Sequence, residues 1–173
     1  MNCLKYPELV KSRSRIVEDY GDKKASIMFI GICPGNHLFR GGADSTGIPF
    51  KGDASGRLFE RLLTDLGLTR ESVYTTNIVK CRPCKDDKKY YNRLPTEKEI
   101  NNCLIGHLQC EIAEINPDIV ICFGHLVYER LKEFYRFNSY NILYAWHPAY
   151  IARDNLKYDE WLCDVKKKLE FLR

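Results

Sequence analysis

Eight glycines and prolines separate two strongly apolar segments in the first third of the chain. Gly31, Pro34, Gly35, Gly41, Gly42, Gly47, Pro49 and Gly52 interrupt residues 31–52, too many breakers for a helix or strand. Ahead of them, residues 27–30 form a short apolar run that reads as a buried strand. Behind them, from about Ser55, Leu58, Phe59, Leu62 and Leu63 share one face of a helix. A strand, a glycine-rich loop and a helix N-terminus together make a concave, backbone-lined site at the carboxyl end of a sheet. There, amides and the helix dipole can face an anion or a polar planar ligand. Loops of this length inside a compact domain are usually functional, so the site is expected here.

The rest of the chain repeats the alternation. Residues 7–20 read as a short amphipathic helix or turn, with Pro7 at its first position. Gly67 stops the helix of residues 55–66. Residues 73–79 (VYTTNIV) are β-branched and aromatic and predict a second strand. The charged loop KCRPCKDDKKYYNRLP follows. Thr96 and Glu99 make a capping box that starts a helix running to about residue 115. Residues 119–123 are apolar throughout, as in a covered parallel sheet. Gly124 leads into a helix over 125–134, residues 141–145 predict a fourth strand, and 158–172 a last amphipathic helix. The expected fold is α/β: a three-layer sandwich with a central four-stranded, mostly parallel sheet flanked by helices, in one domain over 1–173.

Composition excludes little more. A 173-residue chain with 45% hydrophobic residues can bury a core without staples. It has no run of about 18 apolar residues, so no membrane partner is expected. The beginning, MNCLKYPELVKSRSR, lacks a secretory apolar stretch, which points to the cytoplasm. A net charge of +4 permits a nucleic-acid partner without demanding one. Eight cysteines in that setting are thiols that pack, react or bind metal. Cys110, Cys122 and Cys163 read as core or structural. Cys3, Cys81, Cys84 and Cys103 lie at segment ends among polar residues, and the Cys-x2-Cys at 81 and 84 is by itself a weak metal signal.

In such a fold, three strand ends bring Phe50 and Asp53, Asn77, and His147 together. Three of them also have a plain reading: His147 as a strand-end cap, Asn77 as a turn residue, Phe50 as a core plug.

GICPG (31–35), TGIPFKGDASGR (46–57), TNIVKCRP (76–83) and HPAY (147–150) stand in an order that resembles the uracil-DNA glycosylase superfamily, nearest its iron–sulfur families four and five. Each motif is weak alone, but the four in sequence span nearly the whole chain. The resemblance implies a monofunctional, monomeric DNA glycosylase. It would hydrolyse the N-glycosidic bond of uracil flipped out of DNA, with other deaminated bases as a close variant, in base excision repair. It implies His147 as donor to uracil O2, Asn77 as the uracil-reading amide and Phe50 as the stacking ring, with the backbone of Gly31, Ile32 and Gly35 lining the pocket. Family four reads GEAPG, with a catalytic Glu where Ile32 stands here. Family five has an apolar residue there and a downstream TGD, which KGD matches. Asp53 is therefore the first candidate for the catalytic carboxylate, Asp44 the second, and Asn36 or His37 the third.

The family's 4Fe–4S ligands match Cys3, Cys81 and Cys103, with Tyr6 where the fourth cysteine belongs and Cys84 as a replacement. A cluster on Cys3, Cys81, Cys84 and Cys103, a labile three-cysteine cluster, or none all remain open. The expected phosphate contacts are Lys51, Ser55, Arg57, Lys80, Arg82 and Arg153. The lysines of DDKKYYN, with Tyr90 and Tyr91, would add a basic-aromatic loop. Ile32 and Tyr6 motivate an alternative, a damaged-DNA-binding module whose glycosylase site has decayed.

Overall fold

The computed structural model describes residues 3–36, 41–85, 92–136 and 140–170. In chain order its elements are α1 (Pro7–Ser12), β1 (Tyr20–Gly21), β2 (Ile27–Gly31), α2 (Ala43–Thr46), α3 (Ala54–Asp65) and β3 (Tyr74–Asn77). Then come α4 (Glu97–Cys103), a π-helical turn (Leu104–Leu108), α5 (Gln109–Ile115), β4 (Ile119–Phe123) and α6 (His125–Phe134). The chain finishes with β5 (Asn141–Ala145), α7 (Pro148–Ile151), a 3-10 turn (Asn155–Lys157) and α8 (Tyr158–Leu169).

The strands lie in the order β1-β3-β2-β4-β5. β3, β2, β4 and β5 are parallel, which is the expected four-stranded sheet. The fifth strand is an addition: Tyr20 and Gly21 pair antiparallel with Thr75 and Tyr74. Two residues are too few to leave a periodic signal in sequence.

Side chains alternate across the sheet and build two cores. Met28, Ile30, Val120, Cys122 and Ile142 face Ile100, Leu104, Leu108, Ile112, Val127 and Leu131. On the other face, Phe29, Ile121, Phe123 and Ala145 meet Phe59, Leu62, Leu63, Tyr158, Trp161 and Val165. Phe29, Phe59 and Phe123 form a ring cluster with centroids 5.2 to 5.7 Å apart. Burying each such side chain contributes about 1.5–3 kcal/mol. No helix among the described residues is long and apolar enough to cross a membrane.

Several boundaries shift. The first helix ends at Ser12, and the chain then bends at Ser14 and Arg15 before the Val17 N–H donates to Lys80 O at 2.8 Å. β3 is shorter than residues 73–79, yet Ile78 and Val79 still donate to Gly31 O and Ile32 O, each at 2.9 Å. The helix begun by the Thr96–Glu99 capping box is as expected at its start, but widens into a π turn before resuming as α5. Cys122 is buried as expected, whereas Cys110 and Cys163 are exposed and belong to no core. Both fall on the outward faces of their helices, which an approximate periodicity placed inward.

Candidate active site

The carboxyl ends of β3, β2, β4 and β5 carry the site. Gly31 ends β2 and pairs with Asn77 at the end of β3. A Cβ on Gly31 would fall 2.5 Å from Asn77 Oδ1 and 2.8 Å from Phe50 Cζ. Only glycine lets the amide and the ring approach over that strand end. Asn77 is 2% exposed, and no hydrogen bond to its carboxamide occurs among the described residues.

Phe50 adopts φ +52°, a left-handed backbone that costs an L-residue about 1–2 kcal/mol. Its ring packs on Phe59 at 5.1 Å and on Phe123 at 5.4 Å, and lies 6.2 Å from the imidazole of His147. The ring is thus a core element along one part of its surface and a wall of the site at Gly31 and His147.

His147 follows β5 and caps α7: its Nδ1 accepts the Ala149 N–H at 3.0 Å. That bond puts the ring proton on Nε2. Burial, helped by the positive charge of Arg153, lowers its pKa from 6.5 to about 4. Near neutral pH His147 is therefore an uncharged Nε2–H donor. Asn77 ends β3 and His147 follows β5 at the same end of the parallel sheet, and the loop after α2 brings the Phe50 ring beside both Gly31 and His147.

The candidate carboxylates separate. Asp53 is the N-cap of α3, with Oδ1 accepting the Gly56 N–H at 2.8 Å. Asp44, the second candidate, is fully buried, and its two oxygens accept the Ser14 N–H at 2.9 and 3.2 Å. A buried carboxylate spent on the N-terminal segment has no access to water, so Asp44 is removed. Asn36 Oδ1 accepts from Ser45 Oγ at 2.9 Å, and His37 lies outside the described residues. The carbonyls of Gly31 and Ile32 are taken by Ile78 and Val79, and that of Gly35 by Asp44 N–H at 3.2 Å. What Gly31 contributes is space.

Two of the expected phosphate contacts are corrected. Lys80 is 1% exposed, with Nζ donating to Glu111 Oε2 at 2.7 Å and to Thr76 Oγ1. Arg82 is 2% exposed, and its Nε donates to Asn92 Oδ1 at 2.7 Å. Neither cation reaches the surface. Lys51, Arg57 and Arg153 are exposed and Ser55 is half-buried. The DDKKYYN lysines with Tyr90 and Tyr91 lie outside the described residues.

The cysteines do not make a four-sulfur site. Cys3 and Cys81 are electrostatic neighbours of Cys103, whose thiol is pushed up to about 11, chiefly by burial. Cys81 Sγ instead accepts from Arg13 Nη1 at 3.0 Å. Tyr6, in the fourth position, donates its hydroxyl to Lys98 O at 2.9 Å. The replacement, Cys84, turns its sulfur to Lys85 O at 3.8 Å and bridges through its backbone to Asn92. Among the described residues no group of three or more His, Cys, Asp or Glu side chains could hold a metal ion. The expected ligand set of Cys3, Cys81, Cys84 and Cys103 is therefore not assembled, because the Cys81–Cys84 turn sends its sulfurs to different partners.

Sequence reasoning passed over Arg70, a buried arginine that bonds the backbone of Pro49 and Phe50. Nothing in its local pattern (LTRES) marks it. It also passed over Cys33, within GICPG, which packs against the core that holds Met28 and Ile30.

The chain is 43% identical to a type-4 uracil-DNA glycosylase of Saccharolobus solfataricus over 68% of its length and 49% of the relative's. It is 37% identical to the type-4 enzyme of Archaeoglobus fulgidus, over 72% of this chain and 55% of the relative. With a type-5 uracil-DNA glycosylase of Pyrobaculum aerophilum the identity is 31%, over 74% of this chain and 64% of the relative. The chain thus spans about half the length of the type-4 relatives. The sequence profile of the uracil DNA glycosylase superfamily matches residues 18–170, a span that contains the whole parallel sheet and each of the three residues gathered at its carboxyl end. The chain belongs to that superfamily.

Proposed function

We propose that this chain is a uracil-DNA glycosylase that cleaves the N-glycosidic bond of uracil extruded from DNA and leaves an abasic site, as a step of base excision repair. The observation that carries the reading is the neutral His147, with Nδ1 engaged by Ala149 N–H and Nε2–H free to donate. When the C1′–N1 bond breaks, its electron pair passes to uracil and charge develops on O2. A neutral N–H aimed at that oxygen stabilises the transition state more than the ground state, and such donors are typically worth about 10²–10³ in rate. The Asn77 carboxamide can accept from N3–H and donate to O4, a pattern that cytosine reverses. Phe50 would present an aromatic wall to the base, and stacking of that kind is worth about 1–3 kcal/mol. Water adds to the cationic C1′ and gives up a proton. Asp53, with one oxygen held by Gly56 N–H, offers the second to that water or to the sugar charge.

Lys51, Ser55, Arg57 and Arg153 would meet the phosphates, with one chain bound per lesion. No step of this reaction passes through an iron–sulfur cluster.

The test is excision from a uracil-containing oligonucleotide under single-turnover conditions, with the abasic product revealed by alkaline strand cleavage. Product formed by the wild type and lost on His147→Ala and Asn77→Ala supports the reading. Tight binding with no product above the His147→Ala background would mean that the chain only recognises damaged DNA.

A further inference from the structure

Phe50 is the one residue of the site whose backbone is unfavourable, so something must hold it. The left-handed conformation at φ +52° aims its ring at Gly31 and His147, while the next residues turn back into α3. Gly56 in the first turn of that helix lies against the same backbone: a Cβ there would be 2.8 Å from Phe50 O and 2.9 Å from Lys51 Cα. The carbonyls of Pro49 and Phe50 are held by one guanidinium. Arg70, 5% exposed, donates from Nη1 to Pro49 O at 2.8 Å and from Nη2 to Phe50 O. Its Nε donates to the Glu60 carboxylate, and its guanidinium sits 5.1 Å from the Phe59 ring centroid. Phe59 in turn packs on Phe50.

We propose that Arg70 is a positioning residue for the reaction: its fork fixes the Pro49–Phe50 carbonyls, and through them the angle at which the Phe50 ring borders the base pocket. A planar fork can bridge two carbonyls and a carboxylate at once, and a lysine ammonium cannot do so in the same geometry. Without it, two buried carbonyls lose their donor and the left-handed residue can relax, withdrawing the ring. Arg70 acts only through Phe50 and touches no substrate. The inference rests on the proposed uracil site, and it adds a determinant 20 residues away in sequence from the ring it serves.

The experiment is a double-mutant cycle on uracil excision with Phe50→Ala, Arg70→Lys and the two combined, read as the single-turnover rate at saturating enzyme. Arg70→Lys is expected to slow excision about ten- to a hundredfold, as small misplacements in a site do, with duplex affinity changed less than twofold. The combined variant should be no slower than Phe50→Ala alone. Multiplying effects would overturn the proposal, since Arg70 would then be acting independently of the ring. Full activity of Arg70→Lys would overturn it as well. If Arg70→Lys does not fold, Glu60→Gln is used in the same cycle. That variant loosens the fork from its half-exposed side, and a few-fold slowing that vanishes in the Phe50→Ala background is expected. An inactive wild type would instead sink the glycosylase reading itself. Loss on His147→Ala with none on Phe50→Ala would leave that reading standing and remove only the role of the ring, and Arg70's with it.

Discussion

Lys80 and Glu111 form an ion pair 2.7 Å long in the interior of the protein, joining the chain just past β3 to helix α5. Thr76 Oγ1 completes the arrangement by donating to Glu111 at 2.8 Å, so the residue just before Asn77 is fastened to the helix behind it. Burial pulls the Lys80 pKa down, and the Glu111 carboxylate opposes that shift. Breaking such a pair leaves one buried charge uncompensated. Lys80→Met or Glu111→Gln should each cost about 3–5 kcal/mol, and Lys80→Met with Glu111→Leu should recover most of that loss. Urea denaturation measures all three, and equal losses in the single and double variants would contradict the account.

The pH behaviour of His147 follows from its lowered pKa of about 4. Between about 6.5, the ordinary histidine value, and 4 the unfolded chain holds a proton that the folded one does not. Stability from this group is therefore complete above 6.5 and falls as pH drops from 6.5 towards 4. Nitrogen-detected NMR should show Nδ1 unprotonated and Nε2 protonated at pH 7, with no His147 titration near 6.5. A midpoint at 6.5 would show the imidazole to be solvated and the donor assignment mistaken.

Asn77→Ala removes a carboxamide without internal hydrogen bonds among the described residues, so its effect should fall on chemistry rather than folding. We expect single-turnover excision of uracil to drop about 10²–10³-fold while the thermal midpoint stays within a few degrees. A large fall in that midpoint would make Asn77 a structural residue.

Exposed cations should behave differently from buried ones. Arg57→Ala and Arg153→Ala should each weaken duplex binding whatever the sequence, and lower the slope of log K against log salt by about one. Arg82→Ala should instead lower stability, because Asn92 Oδ1 loses its 2.7 Å donor and, among the described residues, keeps only the Asn36 N–H at 3.4 Å. Fluorescence anisotropy across a salt series, with a melting curve for each variant, distinguishes the two classes.

Tyr6 stands where a fourth sulfur would be needed. Tyr6→Cys should raise the iron and sulfide retained after anaerobic reconstitution above the wild-type level. Four irons per chain in the wild type would show that the cysteines rearrange to accept a cluster.

The parallel sheet was legible because its central strands are apolar without interruption. Residues 119–123 and 141–145 carry the predicted boundaries, and Gly124 marks the start of α6. That the segments of Phe50, Asn77 and His147 lie at carboxyl ends of strands could be read from the sequence, whereas the approach of the Phe50 ring to Gly31 and His147 depends on the course of its loop. Burial of charge could not be read either. Lys80 and Arg82 sit in a motif that resembles a DNA contact, and only the partner 31 residues further on shows that Lys80 points inward. Asp53 was read as a catalytic carboxylate alone, although its place ahead of Ala-Ser-Gly at a helix start was also a signal for the cap that the structure contains. Arg70 left no local trace, since two of its partners are backbone atoms 20 and 21 residues away and the third is the Glu60 carboxylate ten residues back.

The bare strand end at Gly31 makes the amide of one strand and the aromatic of a distant loop co-tenants of a single side chain's volume. Adding even a methyl at 31 must displace both. An engineer who wants a different base accepted here can vary Asn77 or Phe50 but must leave position 31 without a side chain, because anything added there collides with both.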